Sequence, residues 1–180
     1  MEIDMDLITE DYRAEQRRLH ENPHYGVASI QFAPLVTEFL NQFSVQQLLD
    51  YGAGKGRLAQ HIKPNHPVRI TMYDPAVPQY AALPPPHEMV ACIDVLEHIE
   101  PQLLDNVLDH LQSLTERLGF FTIHTGPAVK VLSDGRNAHL IQQPPAWWLP
   151  KILQRFELIT FQRTGAGFWV LVARQGLKIE

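Results

Sequence analysis

At 180 residues with 45% hydrophobic and 19% charged residues, the chain fits one globular domain and excludes a disordered or fibrous protein. A formal net charge of −5 speaks against a nucleic-acid partner, which a basic surface would serve, although Arg13, Arg17 and Arg18 form one local basic cluster. The single cysteine, Cys92, excludes an internal disulfide and a multi-cysteine metal site, and no apolar run approaches the roughly 20 residues of a membrane span.

The N-terminus, Met1 to Asp6, is acidic and unlike a secretory leader, so a reducing cytoplasm is the expected setting. Asp6 to His20 is polar and helix-forming, and Asn22, Pro23 and Gly26 break it. A second helix is predicted from Ser29 to Phe43, with Phe32, Val36, Phe39 and Leu40 on one face and Pro34 in or near its first turn. Val45 to Asp50 reads as a short strand, followed by a glycine-rich turn and a helix over Arg57 to Ile62. Val68 to Tyr73 alternates as a strand does and closes on Asp74. Pro75 to Pro86 holds five prolines and cannot form a regular crossover helix.

Met89 to Asp94 is the continuous apolar run of a buried parallel strand. From Pro101 to Leu118 leucines recur at helical spacing, with Gly119 as the expected stop and Phe120 to His124 as the next strand. A loop through Gly126, Asp134 and Gly135 leads to a short helix over Pro145 to Gln154. The final strands, Phe156 to Arg163 and Gly167 to Arg174, pair as an antiparallel hairpin. Strands alternating with helices indicate an α/β protein with a mostly parallel sheet.

The segment Asp50-Tyr-Gly52-Ala-Gly54-Lys-Gly56 lies between a strand and a helix, where glycines let the backbone turn and approach a ligand. A tight turn with no ligand is the plain alternative. Asp74, at the end of the next strand, is placed to accept both hydroxyl protons of a ribose. A phosphate loop would need Ser or Thr after Lys55, and a dinucleotide loop would need its third glycine one residue later than Gly56.

The remaining pattern resembles motif I of class I S-adenosylmethionine-dependent methyltransferases. Asp94-Val-Leu-Glu97-His98-Ile resembles the post-strand motif of the quinone-biosynthesis O-methyltransferase group. Tyr25-Gly26 and the Asn137-Ala-His139 stretch ahead of Trp147-Trp148 are similar to that group as well. The resemblance implies a Rossmann-like sheet and S-adenosylmethionine as cofactor. It implies cofactor contacts from Tyr25, Asp50, Gly52, Ala53, Gly54, Gly56, Asp74, Pro75, Ile93 and Asp94. The segment 1–44 is expected as a helical cover of the cofactor site within one domain, 1–180. The short, proline-rich stretch from Asp74 to Glu88 departs from the family, so the third strand is expected to be absent or vestigial.

Methyl transfer needs alignment and, for a hydroxyl acceptor, a base, for which histidine is suited near neutral pH. His139, His98 and His124 fall at strand ends or in the loops above them, and His139 leads because of its polar neighbours. His98 packing a helix start, or His124 satisfied in the core, are their structural alternatives. The expected function is methylation of an oxygen on a small molecule, without an assigned metal ligand. Two alternatives stand beside it. Asp94, Glu97, His98 and His139 are similar in order to the metal cluster of small-RNA terminal 2′-O-methyltransferases, and a partner subunit could bind the cofactor without catalysis.

Overall fold

The computed structural model describes residues 6–177. Helices α1 (Glu10–His20) and α2 (Ala28–Gln42) lead into β1 (Gln47–Tyr51), α3 (Arg57–His61), β2 (Arg69–Tyr73) and β3 (His87–Ile93). Then come α4 (Leu104–Leu114), β4 (Thr115–His124), α5 (Pro145–Leu153), β5 (Phe156–Arg163) and β6 (Gly167–Arg174). The six strands form one mixed sheet in the order β2-β1-β3-β4-β6-β5. The β1–β2, β1–β3 and β3–β4 pairs are parallel, whereas β6 runs antiparallel between β4 and β5.

The central strands β1, β3 and β4 are buried on both faces, which is why they read as continuous apolar runs. On one face α4 and α5 bring Leu104, Leu108, Leu111, Trp148 and Ile152 against Val90, Phe121, Val170 and Val172. On the other, α2 and α3 bring Val36, Leu40 and Leu58 against Leu48, Met89, Phe120 and Leu171. Alternate residues of one strand thus serve opposite cores.

The expected third strand is absent among the described residues. Residues 75–86 make only a short 3₁₀ turn at Pro78–Tyr80 and hand the chain from β2 straight to β3, leaving β2 at the sheet edge. His87, 2% exposed, ties this shortcut down: its ring nitrogens lie 2.7 Å from the Pro85 carbonyl and 2.7 Å from Thr71 Oγ1.

Three expected boundaries need correction. The helix predicted from Pro101 to Leu118 is a 3₁₀ turn at Pro101–Leu103 followed by α4, which stops at Leu114. Leu118 keeps the helical spacing but pairs with Met89 and Ala173 inside the sheet. Gly119 lies within β4, not at a helix end; a Cβ there would meet the Phe121 ring at 2.6 Å. The first helix begins at Glu10, not Asp6, because the Thr9 side chain caps it by accepting the Tyr12 N–H. Pro34 sits inside α2 and not in its first turn; it lies on the exposed side, where water can serve the carbonyl that loses its partner.

Candidate functional site

In an open parallel sheet, ligands bind beyond the carboxyl ends of the strands where the winding reverses, here between β1 and β3. A cavity of about 280 Å³ opens there, lined by the turns after β1, β2 and β3 and covered by α1.

The turn after β1 is fixed by β2. The N–H groups of Gly52 and Ala53 both donate to the Tyr73 carbonyl, at 2.7 and 3.0 Å. Gly52 has φ +80°, and an added Cβ would stand 2.3 Å from Val95 Cγ2, so only glycine fits. Gly54 has φ +51° and donates its N–H to Asp74 Oδ2 at 2.9 Å, while Ala76 N–H donates to Oδ1 at 2.9 Å. The Asp74 carboxylate is therefore held rigidly at the cavity wall, with lone pairs still free on each oxygen.

Asp50 is 3% exposed, and its Oδ2 has no hydrogen-bond partner among the described residues. Burial, with the neighbouring Asp74 charge adding to it, pushes its carboxyl up to about 7. A cationic ligand group beside it would relieve that cost. The backbone cradle and the two carboxylates thus suit a cationic amino-acid nucleoside, which is the chemistry the resemblance implies.

The acceptor end is built by the turn after β3. Asp94 has φ +50°, a left-handed conformation rare for a side-chain-bearing residue, and Thr122 holds it there. Asp94 N–H donates to Thr122 Oγ1 at 2.9 Å, and that hydroxyl donates to Asp94 Oδ1 at 2.5 Å. A 3₁₀ turn, Leu96–His98, then buries Glu97 and turns His98 toward the cavity.

Three imidazoles pack edge-on or tilted around this turn. The His139 ring centroid is 4.7 Å from that of His98 and 4.8 Å from that of His124. His98 Nδ1–H donates to the Ala138 carbonyl at 2.8 Å, and His139 Nδ1–H donates to the Gly126 carbonyl at 2.7 Å. A carbonyl only accepts, so Nδ1 carries the proton in both rings and Nε2 keeps its lone pair in the neutral forms. Burial lowers both pKa values, with His98, beside His139, reaching about 3. Glu97 is fully buried; Oε1 accepts the His124 N–H at 2.9 Å, while Oε2 has no partner among the described residues. Burial and the nearby Asp94 raise its pKa well above the carboxylate range. One ligand atom from each of Glu97, His98 and His139 lies within 4.8 Å of the others, so a divalent cation fits this donor set.

Of the sequence candidates, the cavity brings together Tyr25, Asp50, Gly52, Ala53, Gly54, Asp74, Pro75, Ile93, Asp94, His98 and His139. Gly56 lies outside its lining and instead caps α3 with φ +67°. His124 also lies outside the lining, behind His139. Sequence reasoning missed Tyr12, Gln16 and His20, which line the cavity from α1. Tyr12 OH donates to the His98 carbonyl at 2.5 Å, and Gln16 accepts from Tyr25 OH at 3.2 Å and donates to Tyr12 OH at 2.7 Å. Tyr12 and Gln16 are four apart on a mostly charged helix, the signal that they share its inward face.

The family described as "Methyltransferase domain" matches residues 28–179. No curated protein matches the sequence. Among solved structures, the chain is similar to 1,6-didemethyltoxoflavin-N1-methyltransferase from Burkholderia thailandensis, crystallised with bound 1,6-didemethyltoxoflavin and S-adenosylhomocysteine. The TM-score is 0.64 at 19% identity, covering 96% of this chain and 92% of that one. Magnesium protoporphyrin IX methyltransferase from Synechocystis, with bound S-adenosylmethionine, matches at 0.56 and 17% identity over 90% of each chain. The small RNA methyltransferase HEN1 matches at 0.61 and 12% identity, covering 84% of this chain and 26% of that one.

Proposed function

The chain belongs to the methyltransferase-domain family, and from that premise we propose that it transfers a methyl group from S-adenosylmethionine to an oxygen of a small molecule. The observation that carries this reading is one cavity that joins the Gly52–Gly54 turn and Asp74 to the His98–His139 pair. When bound, the cofactor supplies an electrophilic methyl on a sulfonium. The protein's own part is alignment and proton removal. The turn at Gly52–Gly54 holds the methionine portion, Asp74 accepts from the ribose hydroxyls, and buried Asp50 faces the positive end. Ile93 and Asp94 wall the reacting centre, and Tyr25 closes it from the α1–α2 connection. His139 takes the acceptor's proton at Nε2, and His124 and His98 hold its ring in place. The Asp94-to-His98 motif supports a place near the quinone-biosynthesis O-methyltransferase group, and 1–180 is read as one catalytic domain.

A second reading, metal-assisted methylation of an RNA terminus, has one observation in its favour, the Glu97–His98–His139 donor set. Those residues would hold a divalent ion that polarises a terminal hydroxyl. The net charge of −5 and the size of the cavity weigh against an RNA.

Calorimetry with S-adenosylhomocysteine tests the cofactor site. Asp74→Ala is expected to weaken binding by about 1.5–3 kcal/mol, the range for hydrogen bonds to a charged group; unchanged affinity removes Asp74 from the site. A screen of hydroxylated acceptors tests the chemistry. His139→Ala should lower kcat about 100-fold or more with little change in cofactor affinity. Turnover that survives EDTA excludes the metal reading, and turnover restored by added Mn²⁺ supports it. Binding without turnover on any acceptor points to a non-catalytic partner subunit.

A further inference from the structure

The cover of the cavity is attached differently from the rest of the protein. Helix α1 contributes to neither face of the sheet through its helical residues; Tyr12 packs with Leu132 and Ala138 in a third, small apolar cluster over the loop after β4. Its polar ties to the body run along its length: the Ser133 N–H donates to Glu15 at 3.0 Å and Arg18 donates to Ser133 Oγ at 3.0 Å. Thr9 donates its N–H and hydroxyl to the Glu100 carboxylate at 2.9 and 2.8 Å, and Tyr12 donates to the His98 carbonyl. At its C-terminal end His20 reaches Asp74, with Nε2 3.7 Å from Oδ2.

That contact falls on the carboxylate assigned to the cofactor's sugar. The His20 ring also lies against Gly54, where an added Cβ would be 3.0 Å from Cε1, and its Nδ1 is buried without a partner among the described residues. Volume tells the same story. Pockets for a single drug-sized ligand run from about 300 to 1,000 Å³, whereas this cavity of about 280 Å³ has to receive a nucleoside cofactor and an acceptor together. With His20 over Asp74, the cavity stands at the lower end of the range for one such ligand.

Resting on the cofactor reading above, we propose that His20 is a gate. Its ring stands over Asp74 where the sugar is assigned, 3.7 Å from Oδ2, and the cofactor's sugar reaches that carboxylate only when the ring swings off. The gate taxes binding, because the competent open form is a fraction of the population. His20 is thus a positioning residue for Asp74, and it takes no part in methyl transfer.

The test is stopped-flow association of S-adenosylhomocysteine with the full chain, alongside equilibrium calorimetry. His20→Ala should associate about threefold faster or more and bind correspondingly tighter, with its dissociation rate little changed. His20→Gln, whose amide still stands over Asp74 and Gly54, should stay close to the parent rate, an outcome that general loosening of α1 would not give. If His20→Ala associates at the parent rate, or binds more weakly, the gate is overturned and His20 is a plain wall or a ligand contact. If the parent protein takes up no S-adenosylhomocysteine at all, it is the cofactor reading that fails.

Discussion

Asp50 shows how a single carboxyl can couple the site to folding. Its neighbours on β1 are apolar and buried, and the strand gives it no cation in exchange for lost water. Below the ordinary value of 3.8, Asp50 is protonated in both states. As pH rises toward about 7, the unfolded chain releases this proton while the folded chain keeps it. The folded state then binds more protons, so stability falls across that window and is level above it. Asp50→Asn removes the term. The variant should gain stability relative to the parent between pH 4 and pH 8, by up to about 4 kcal/mol at roughly 1.4 kcal/mol per pH unit. Urea midpoints at the two pH values check this, and an identical difference at both would show that Asp50 is ionised in the fold. Glu97 illustrates a residue only half legible. The motif marks it, yet its burial depends on the loop from Gly126 to Ile141, whose Ile141 N–H donates to the Glu97 carbonyl.

At the scale of elements, the parallel half of the sheet and the C-terminal hairpin do different work. β1, β2 and β3 end at the cavity and carry its turns, whereas β5 and β6 supply an antiparallel flank that buries β4. The junction is tight at Gly167, the first residue of β6, which pairs with His124. A Cβ there would lie 1.9 Å from the Ile123 carbonyl oxygen, a backbone atom that cannot rotate away. Gly167→Ala should therefore cost about 3 kcal/mol of stability, the upper part of the overpacking range, read as a lower denaturant midpoint. A neutral result would mean that β6 can shift its register without loss. The α4–β4 junction shows where periodicity misleads. Leu114 and Leu118 are four apart and read as one helical stripe, but they bury against the core from two different elements. Thr115, β-branched and at the helix end, was the available warning.

For the whole molecule, charge and cavity size bear on the proposed small-molecule acceptor. Net charge −5 gives no electrostatic pull on phosphates, and the covered cavity suits a small body. Raising salt from about 50 to 200 mM should change kcat/KM by less than about twofold with a neutral acceptor, whereas a phosphate-rich partner would lose orders of magnitude. A steep salt dependence would return the RNA end to first place. Among the described residues no helix is long and apolar enough to cross a membrane.

The sequence alone determined the sheet-forming runs, the missing third strand and the glycine turn after β1. Each is written in contiguous residues: an apolar run, five prolines between Pro75 and Pro86, and glycines whose positive φ is a local requirement at Gly52 and Gly54. Only the tertiary structure decided the rest. The Glu97–His98–His139 cluster joins two loops about 40 residues apart, and His20 meets Asp74 across more than 50. Such contacts depend on how α1 and the loop after β4 settle over the strand ends, and no local pattern of residues encodes that settling.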